Sequence, residues 1–303
     1  MDETTIRDRI RKIDELSLSY DQVNLALDAL EDVLAYGTVG AEAKCAMLVG
    51  PSGSGKTWAL QHFKEGQEAH GSEERDHIPI VYLTAPVQAS DKALPGKLLA
   101  KLGDPMPEKG TRERMTERLI ERLKALGTRM VIIDEVHHLV DSRQNDNKKI
   151  RQTAEWLKDM LLAGVCPFVY AGLDTSESLL TTNEQLARRG MHYVRMGAFE
   201  YRTKQQREFF AELVETFFDE ADLPLEIDRQ DLVPTVHEAT GGLIGRVATL
   251  VQRTIMTAGR QGRACIDAKC LADSWATSGL AMMGQRNPFV RRDGPSGPTK
   301  KAA

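Results

Sequence analysis

The octapeptide Gly50-Pro51-Ser52-Gly53-Ser54-Gly55-Lys56-Thr57 limits what this chain can fold into more than any other segment. It fits the pattern G-x-x-x-x-G-K-[ST], follows the short apolar run Ala46 to Gly50, and precedes a helical stretch from Trp58 to Lys64. A strand must end there, the backbone must curl on its glycines, and a helix must begin at once. The loop N–H groups and the helix N-terminus then point at one spot, which is an anion site. Lys56 is expected to reach the β and γ phosphates of ATP, and the Thr57 hydroxyl to ligate Mg²⁺.

A second motif supports the first. Met130-Val131-Ile132-Ile133 is an apolar run of the kind found in strands buried on both faces, and it delivers Asp134 and Glu135 at its carboxyl end. Acids so placed beside a phosphate loop are expected to hold Mg²⁺ (Asp134) and to polarise the attacking water (Glu135). Two further apolar runs, Ile78 to Leu83 and Phe168 to Gly172, are separated from these by stretches of helical character. Strands alternating with helices predict βαβ units, hence an α/β fold with a parallel sheet covered by helices on both faces.

Outside this region the patterns are helical. Apolar residues recur at helical spacing from Asp21 to Tyr36, after a weaker helix from Thr5 to Leu16. Beyond about residue 200 helical patterns cover Lys204 to Glu220, Asp231 to Glu238, Gly245 to Ala258 and Asp267 to Ala276. The expected organisation is a helical segment over 1–40, a nucleotide-binding core over 41–200, a helical lid over 201–283 and a flexible basic tail over 284–303. The tail carries Arg286, Arg291, Arg292, Lys300 and Lys301 against Asp293, with Pro288, Pro295 and Pro298 opposing regular structure and Phe289 and Val290 as an apolar anchor for a partner.

A formal charge of −4 excludes a wholesale basic protein. Cys45, Cys166, Cys265 and Cys270 form no C-x-x-C pair and no spacing with histidine that suits zinc, so reduced thiols are expected. The N-terminus lacks the apolar core of a signal peptide, and no run approaches the roughly 18 apolar residues of a membrane span, so a cytoplasmic, soluble protein is expected.

The acidic pair after the strand resembles the AAA+ branch of P-loop ATPases, which implies a three-layer αβα core with a small C-terminal helical lid. At the position where that family carries Asn or Thr after the Phe168 to Gly172 strand, this chain has Leu173, leaving Asp174 or Thr175 to face the γ-phosphate water. Glu184-Gln185-Leu186-Ala187-Arg188-Arg189 resembles the segment that offers an arginine finger to a neighbouring subunit; the family pattern favours Arg189 over Arg188, with Gly190 in the place of the usual Phe. Arg246, in Gly241-Gly242-Leu243-Ile244-Gly245-Arg246, resembles the second sensor arginine of the lid, and a cation at a helix start favours a phosphate partner.

Ile132 to Leu139 (IIDEVHHL), Glu184-Gln185-Leu186 and Thr240 to Arg246 together resemble the TniB and TnsC family of transposition regulators over about residues 40–260. The resemblance implies an ATPase that oligomerises, as a ring or helical filament, on duplex DNA without sequence preference and recruits or stimulates a transposase, together with a TniQ-like target-selection protein. Carried over by position, Lys92 and Thr111 match contacts to the DNA backbone, and Lys109 joins them. Between Asp91 and Arg129 ten Lys and Arg stand against six Asp and Glu, a local basic zone in an acidic chain. The rival reading is a secretion-associated or signalling AAA+ ATPase similar to ExeA-type proteins, with ATP-gated protein contacts and no DNA. His137 and His138 lack an acidic or Cys partner at ligand spacing on their element and are expected to pack or hydrogen-bond near the nucleotide. Trp58, Trp156 and Trp275 are expected in the core or at an interface.

Overall fold

The computed structural model describes residues 2–39, 42–69, 77–87, 90–140, 147–281 and 286–290. The chain divides into two compact units, one of residues 19–197 and one formed by residues 1–18 together with 198–303.

The first unit is built on five strands: β1 (Cys45–Val49), β2 (Ile80–Thr84), β3 (Met130–Asp134), β4 (Phe168–Gly172) and β5 (Gly190–Arg195). All pair in parallel, in the order β2-β3-β4-β1-β5. After α1 (Glu3–Glu15), which belongs to the second unit, its helices are α2 (Asp21–Tyr36), α3 (Lys56–Ala69), α4 (Ala93–Lys101), α5 (Arg112–Ala125), α6 (Asn147–Leu162), and the short α7 (Ser178–Thr181) and α8 (Glu184–Ala187). Because side chains alternate across a pleat, each strand feeds two layers. Met47, Val49, Val81, Leu83, Val131, Ile133, Phe168 and Tyr170 share one cluster with apolar residues of α4, α5 and α6. The alternate residues Ala46, Leu48, Ile80, Met130, Ile132 and Val169 are equally buried; α2 lies against β1 and β5, and α3 against β2 and β4. Burial on both faces is what permits an all-parallel sheet. Truncating Ile132 to Ala, at full burial, is expected to cost about 2–5 kcal/mol.

The four strands expected from apolar runs are present within two residues of their expected ends. β5 is an addition. It lies at the sheet edge and is made of exposed and half-buried residues, so Gly-Met-His-Tyr-Val-Arg offers no continuous apolar run to reveal it. Its pairing matters to the site, since β1 becomes an interior strand with Val49 beside both Gly172 and Arg195.

The second unit is helical: α1 (Glu3–Glu15), α9 (Lys204–Glu220), α10 (Arg229–Thr240), α11 (Ile244–Arg260) and α12 (Ala268–Thr277). α1 packs on α9 and α11, with Arg9 paired to Asp222 at 2.9 Å, so the first helix groups with the C-terminal helices. A capping box opens α9: the Thr203 hydroxyl accepts from Gln206 N and the Gln206 amide oxygen accepts from Thr203 N. The described part of the expected flexible tail, 286–290, is docked. Asn287 Nδ2 donates to the Ala272 carbonyl of α12 at 2.8 Å and Phe289 is buried. Apolar burial of the one aromatic in that segment fixes it despite Pro288. The tail residues Arg291, Arg292, Asp293, Lys300 and Lys301 lie outside the described residues. Among the described residues no helix is long and apolar enough to cross a membrane.

Candidate nucleotide site

Between β1 and α3 the loop turns on Gly53 and Gly55, at φ of 84° and 95°, a region that L side chains rarely adopt. Gly50 is needed for another reason: a Cβ there would stand 1.8 Å from the Met196 carbonyl oxygen. Lys56 opens α3 and is buried. Its Nζ donates to the carbonyls of Gly50 (2.8 Å) and Pro51 (2.9 Å) and to Ser54 Oγ (3.3 Å). Burial pulls the Lys56 ammonium below its ordinary value, and the negative charges of Asp134, Glu135 and Asp174 oppose that shift. A desolvated ammonium whose partners are neutral oxygens of a glycine loop fits an incoming anion, because an anion would supply the charge those partners lack.

Thr57, the next residue, is exposed, and its Oγ1 donates to Asp134 Oδ2 at 2.7 Å. Asp134 ends β3 and is 1 % exposed. Its Oδ1 accepts from Glu135 N at 2.7 Å, and its Oδ2 accepts a second hydroxyl, that of Tyr82 on β2, at 2.8 Å. The strand register explains the second contact. Tyr82 pairs with Ile132 and Thr84 with Asp134, so all four lie on one face of the sheet. Burial and the Asp134 charge push the Tyr82 phenol well above its ordinary range, which keeps it a proton donor. A hydroxyl oxygen and a buried carboxylate side by side are a donor set that suits a hard divalent cation.

Glu135 follows in a left-handed conformation, φ 55°, uncommon for a residue with a side chain. This turn brings its carboxylate back over the single 3-10 turn Val136–Leu139, where Oε2 lies 3.2 Å from His137 Nε2. The ligand atoms of Glu135, His137 and His138 all lie within 4.8 Å of one another. Sequence spacing conceals that convergence because it depends on one inverted backbone torsion.

Beyond β4, Leu173 caps a 3-10 turn, Asp174–Glu177, with no side-chain hydrogen bond of its own. Asp174 is exposed and paired through Oδ1 with Arg195 Nη1 at 2.7 Å, while Arg195 Nη2 also reaches Glu177. Arg195 ends β5 and Asp174 follows β4, so this pair links the strands on either side of β1. Ser176, in the same turn, is fully buried, with no hydrogen-bond partner for its Oγ among the described residues. Tyr82, Ser176 and Arg195 escaped the sequence reading; a phenol within an apolar strand was the only signal for any of them.

The arginines at the end of α8 differ in burial. Arg189, favoured by the family pattern, is buried: Nη2 pairs with Glu42 at 2.9 Å and Nη1 donates to the Gln185 carbonyl. Arg188 is 81 % exposed, with only a 4.0 Å pairing to Glu184. A guanidinium paired inside its own subunit is less available to a neighbour than an exposed one. Arg246 lies in the first turn of α11, in the helical unit.

Lys92, Lys109 and Thr111 cluster around two helix starts. Lys92 precedes α4, and Thr111 caps α5, its Oγ1 accepting from Arg114 N. The helices run in the same direction: Gly96 faces Met115, whereas the Leu102 carbonyl past the end of α4 accepts from Arg122. Their positive ends therefore share one side. The connecting loop is strapped down by Arg118, which donates to the Lys109 and Met106 carbonyls and pairs with Asp104. Hydrogen bonds from its own backbone and from Thr111 hold the Glu113 carboxyl low, with the charges of Arg112 and Lys92 adding to them, so part of this positive field is answered locally. Trp156 Nε1 donates to Thr116 Oγ1 and Trp275 Nε1 to the Ala239 carbonyl, both from buried rings, while Trp58 stacks on His62 at 4.6 Å.

Comparison with known proteins fits this architecture. No curated protein matches the sequence. Among solved structures the chain is similar to the ORC2 protein of Aeropyrum pernix in its ADPNP–ADP complexes, with 13% identity over 88% of this chain and 71% of that one and a TM-score of 0.64. It is similar to the ORC1 protein of the same organism in complex with DNA, at 18% identity, 85% and 65% coverage and a TM-score of 0.62. Cdc6p of Pyrobaculum aerophilum gives 19%, 90%, 70% and 0.61. At such identities the likeness is one of fold, the AAA+ P-loop fold. The family model for bacterial TniB protein matches residues 9–195, from α1 to the end of β5 and more than half of the sequence. This chain therefore belongs to the bacterial TniB family.

Proposed function

We propose that this protein binds ATP with Mg²⁺ between Gly50 and Thr57, hydrolyses it to ADP and phosphate, and uses the nucleotide state to assemble on duplex DNA as a regulator of transposition. The observation that carries the reading is the convergence of a buried Lys56, the Thr57 hydroxyl and a buried Asp134 at the carboxyl end of one parallel sheet. Bound Mg²⁺ supplies charge neutralisation on the phosphate oxygens. The residues do the rest. Lys56 would bind phosphate oxygens in place of its carbonyl partners, and Asp134, by accepting the Thr57 hydrogen bond, would leave the hydroxyl lone pairs to a cation. Glu135, turned away from His137, accepts the hydrogen bond of the attacking water. Arg188 of a neighbouring copy stabilises charge on the transferring phosphoryl group, and Arg246 takes a phosphate of the nucleotide as its partner.

Sequence-tolerant DNA binding through Lys92, Lys109 and Thr111 is supported by the shared orientation of the α4 and α5 starts, since N–H groups and lysines recognise phosphate rather than bases. Family membership supports the link to transposition, with a transposase and a TniQ-like target-selection protein as partners and a ring or helical filament as the assembly. ATP turnover in this reading times disassembly, and the protein acts in the cytoplasm, on the nucleoid when bound to DNA.

The test is fluorescence polarisation with an arbitrary duplex, with and without ATP, on wild type and Glu135→Gln. ATP is expected to promote binding, and the variant to retain ATP and DNA while losing turnover. ATP binding with no DNA affinity at any salt would leave the protein-contact reading of ExeA-type ATPases in its place. Undiminished turnover in Glu135→Gln would remove the role given to that carboxylate.

A further inference from the structure

We propose that Tyr82 is a positioning residue for the divalent cation, acting through Asp134 on Thr57; this deepens the nucleotide reading above and rests on it. A carboxylate offers about four lone-pair sites. Asp134 spends one of Oδ1 on Glu135 N and two of Oδ2 on the Thr57 and Tyr82 hydroxyls. A rotation of this carboxylate would disturb all three charge-assisted hydrogen bonds at a group that is 1 % exposed, where the loss is costly. The orientation so fixed has a consequence for Thr57. Its hydroxyl has a single proton, and while that proton is committed to Oδ2 both oxygen lone pairs are available to a cation.

Without the phenol, Oδ2 has an open site. The carboxylate then has freedom to turn or to take up water, and the Thr57 proton is no longer held in one direction. Tyr82 itself does not need to touch the cation or the nucleotide. Its effect belongs to metal affinity, as for outer partners that orient a ligating group, where removal costs about 10-fold to 100-fold in metal affinity. Tyr82 comes from β2, which pairs with Asp134 through the backbone and, among the described residues, contributes no other side-chain hydrogen bond to its carboxylate.

The experiment compares full-length wild type with Tyr82→Phe, which removes one oxygen and leaves the ring. Mn²⁺ binding to the ADP complex is followed by electron paramagnetic resonance, ADP affinity is measured in EDTA, and hydrolysis is titrated with Mg²⁺. Mn²⁺ affinity of the variant complex is expected to fall about tenfold, at the lower edge of that range. The Mg²⁺ concentration for half-maximal hydrolysis should rise to match, with ADP affinity in EDTA unchanged and kcat restored at saturating Mg²⁺. Equal Mn²⁺ affinity in the two proteins would overturn the proposal, and so would a loss of ADP affinity in EDTA together with lowered thermal stability, which would mark the ring as packing. The wild-type arm tests the underlying reading separately: a wild type that binds neither ADP nor Mn²⁺ takes both down.

Discussion

The guanidinium of Arg189 closes on the Glu42 carboxylate of its own chain at 2.9 Å, while Arg188, one residue earlier, projects from the surface. Adjacent residues of the same type are thus placed differently, one holding the start of β5 near the entry to β1 and the other exposed beside Glu184. Arg189→Ala is expected to lower stability by about 1–2 kcal/mol, discounted because Glu42 is half exposed, and Arg188→Ala by less than about 0.5 kcal/mol. Hydrolysis that depends on assembly should be lost in Arg188→Ala. Chemical denaturation and ATPase assays over protein concentration check both; a stable Arg189→Ala protein with no assembled activity would reverse the assignment.

Lys56 gives a pH-dependent signature. Its folded-state value lies below the unfolded one, so the unfolded chain binds more protons in between, and stability contributed by this residue rises with pH. The penalty of burying the ammonium is complete below the folded value and disappears above the ordinary 10.5. Lys56→Met should therefore gain on wild type at neutral pH in nucleotide-free thermal melts, and that gain should shrink as pH rises. The variant should also show no stabilisation by ADP. A gain independent of pH would mean that Lys56 is not desolvated.

The thiols should be inert in the folded protein. Burial pushes Cys45 and Cys166 up to about 12, and a thiol is reactive only as thiolate. Disulfide-exchange titration at neutral pH is expected to find Cys265 alone, partly exposed and slowed by its hydrogen bond to Glu226, until denaturant releases the rest. The unfolded chain loses these protons first, so stability falls as pH rises above the ordinary 9.0. Rapid native labelling of Cys45 would contradict its burial in β1.

DNA affinity should fall steeply with salt, and loss of Lys92 or Lys109 should lower the log–log slope by about one per contact without altering sequence preference. Arg118→Ala tests the strap. It removes no contact assigned to DNA, yet it frees the loop carrying Lys109, so affinity should drop while the two lysines remain. Equal affinity in Arg118→Ala and wild type would show that loop geometry does not matter.

Local chemistry determined the strands, the phosphate loop and the acidic pair, because each is written in consecutive residues: apolar runs that demand burial on both faces, glycines that alone allow the loop torsions, and carboxylates at a strand end. Lys56, Thr57 and Asp134 could be named from the sequence because a strand–loop–helix leaves them one way to meet. β5 was hidden because an edge strand needs no apolar run, and with it went the contact between Arg195 and Asp174. The burial of Arg189 beside an exposed Arg188, the return of Glu135 over His137, and the Tyr82 hydroxyl on Asp134 were decided only in the tertiary structure. Each depends on a partner far away in sequence or on a single inverted torsion, and side-chain periodicity, which reports the face a residue occupies, carries no information about which atom it meets there.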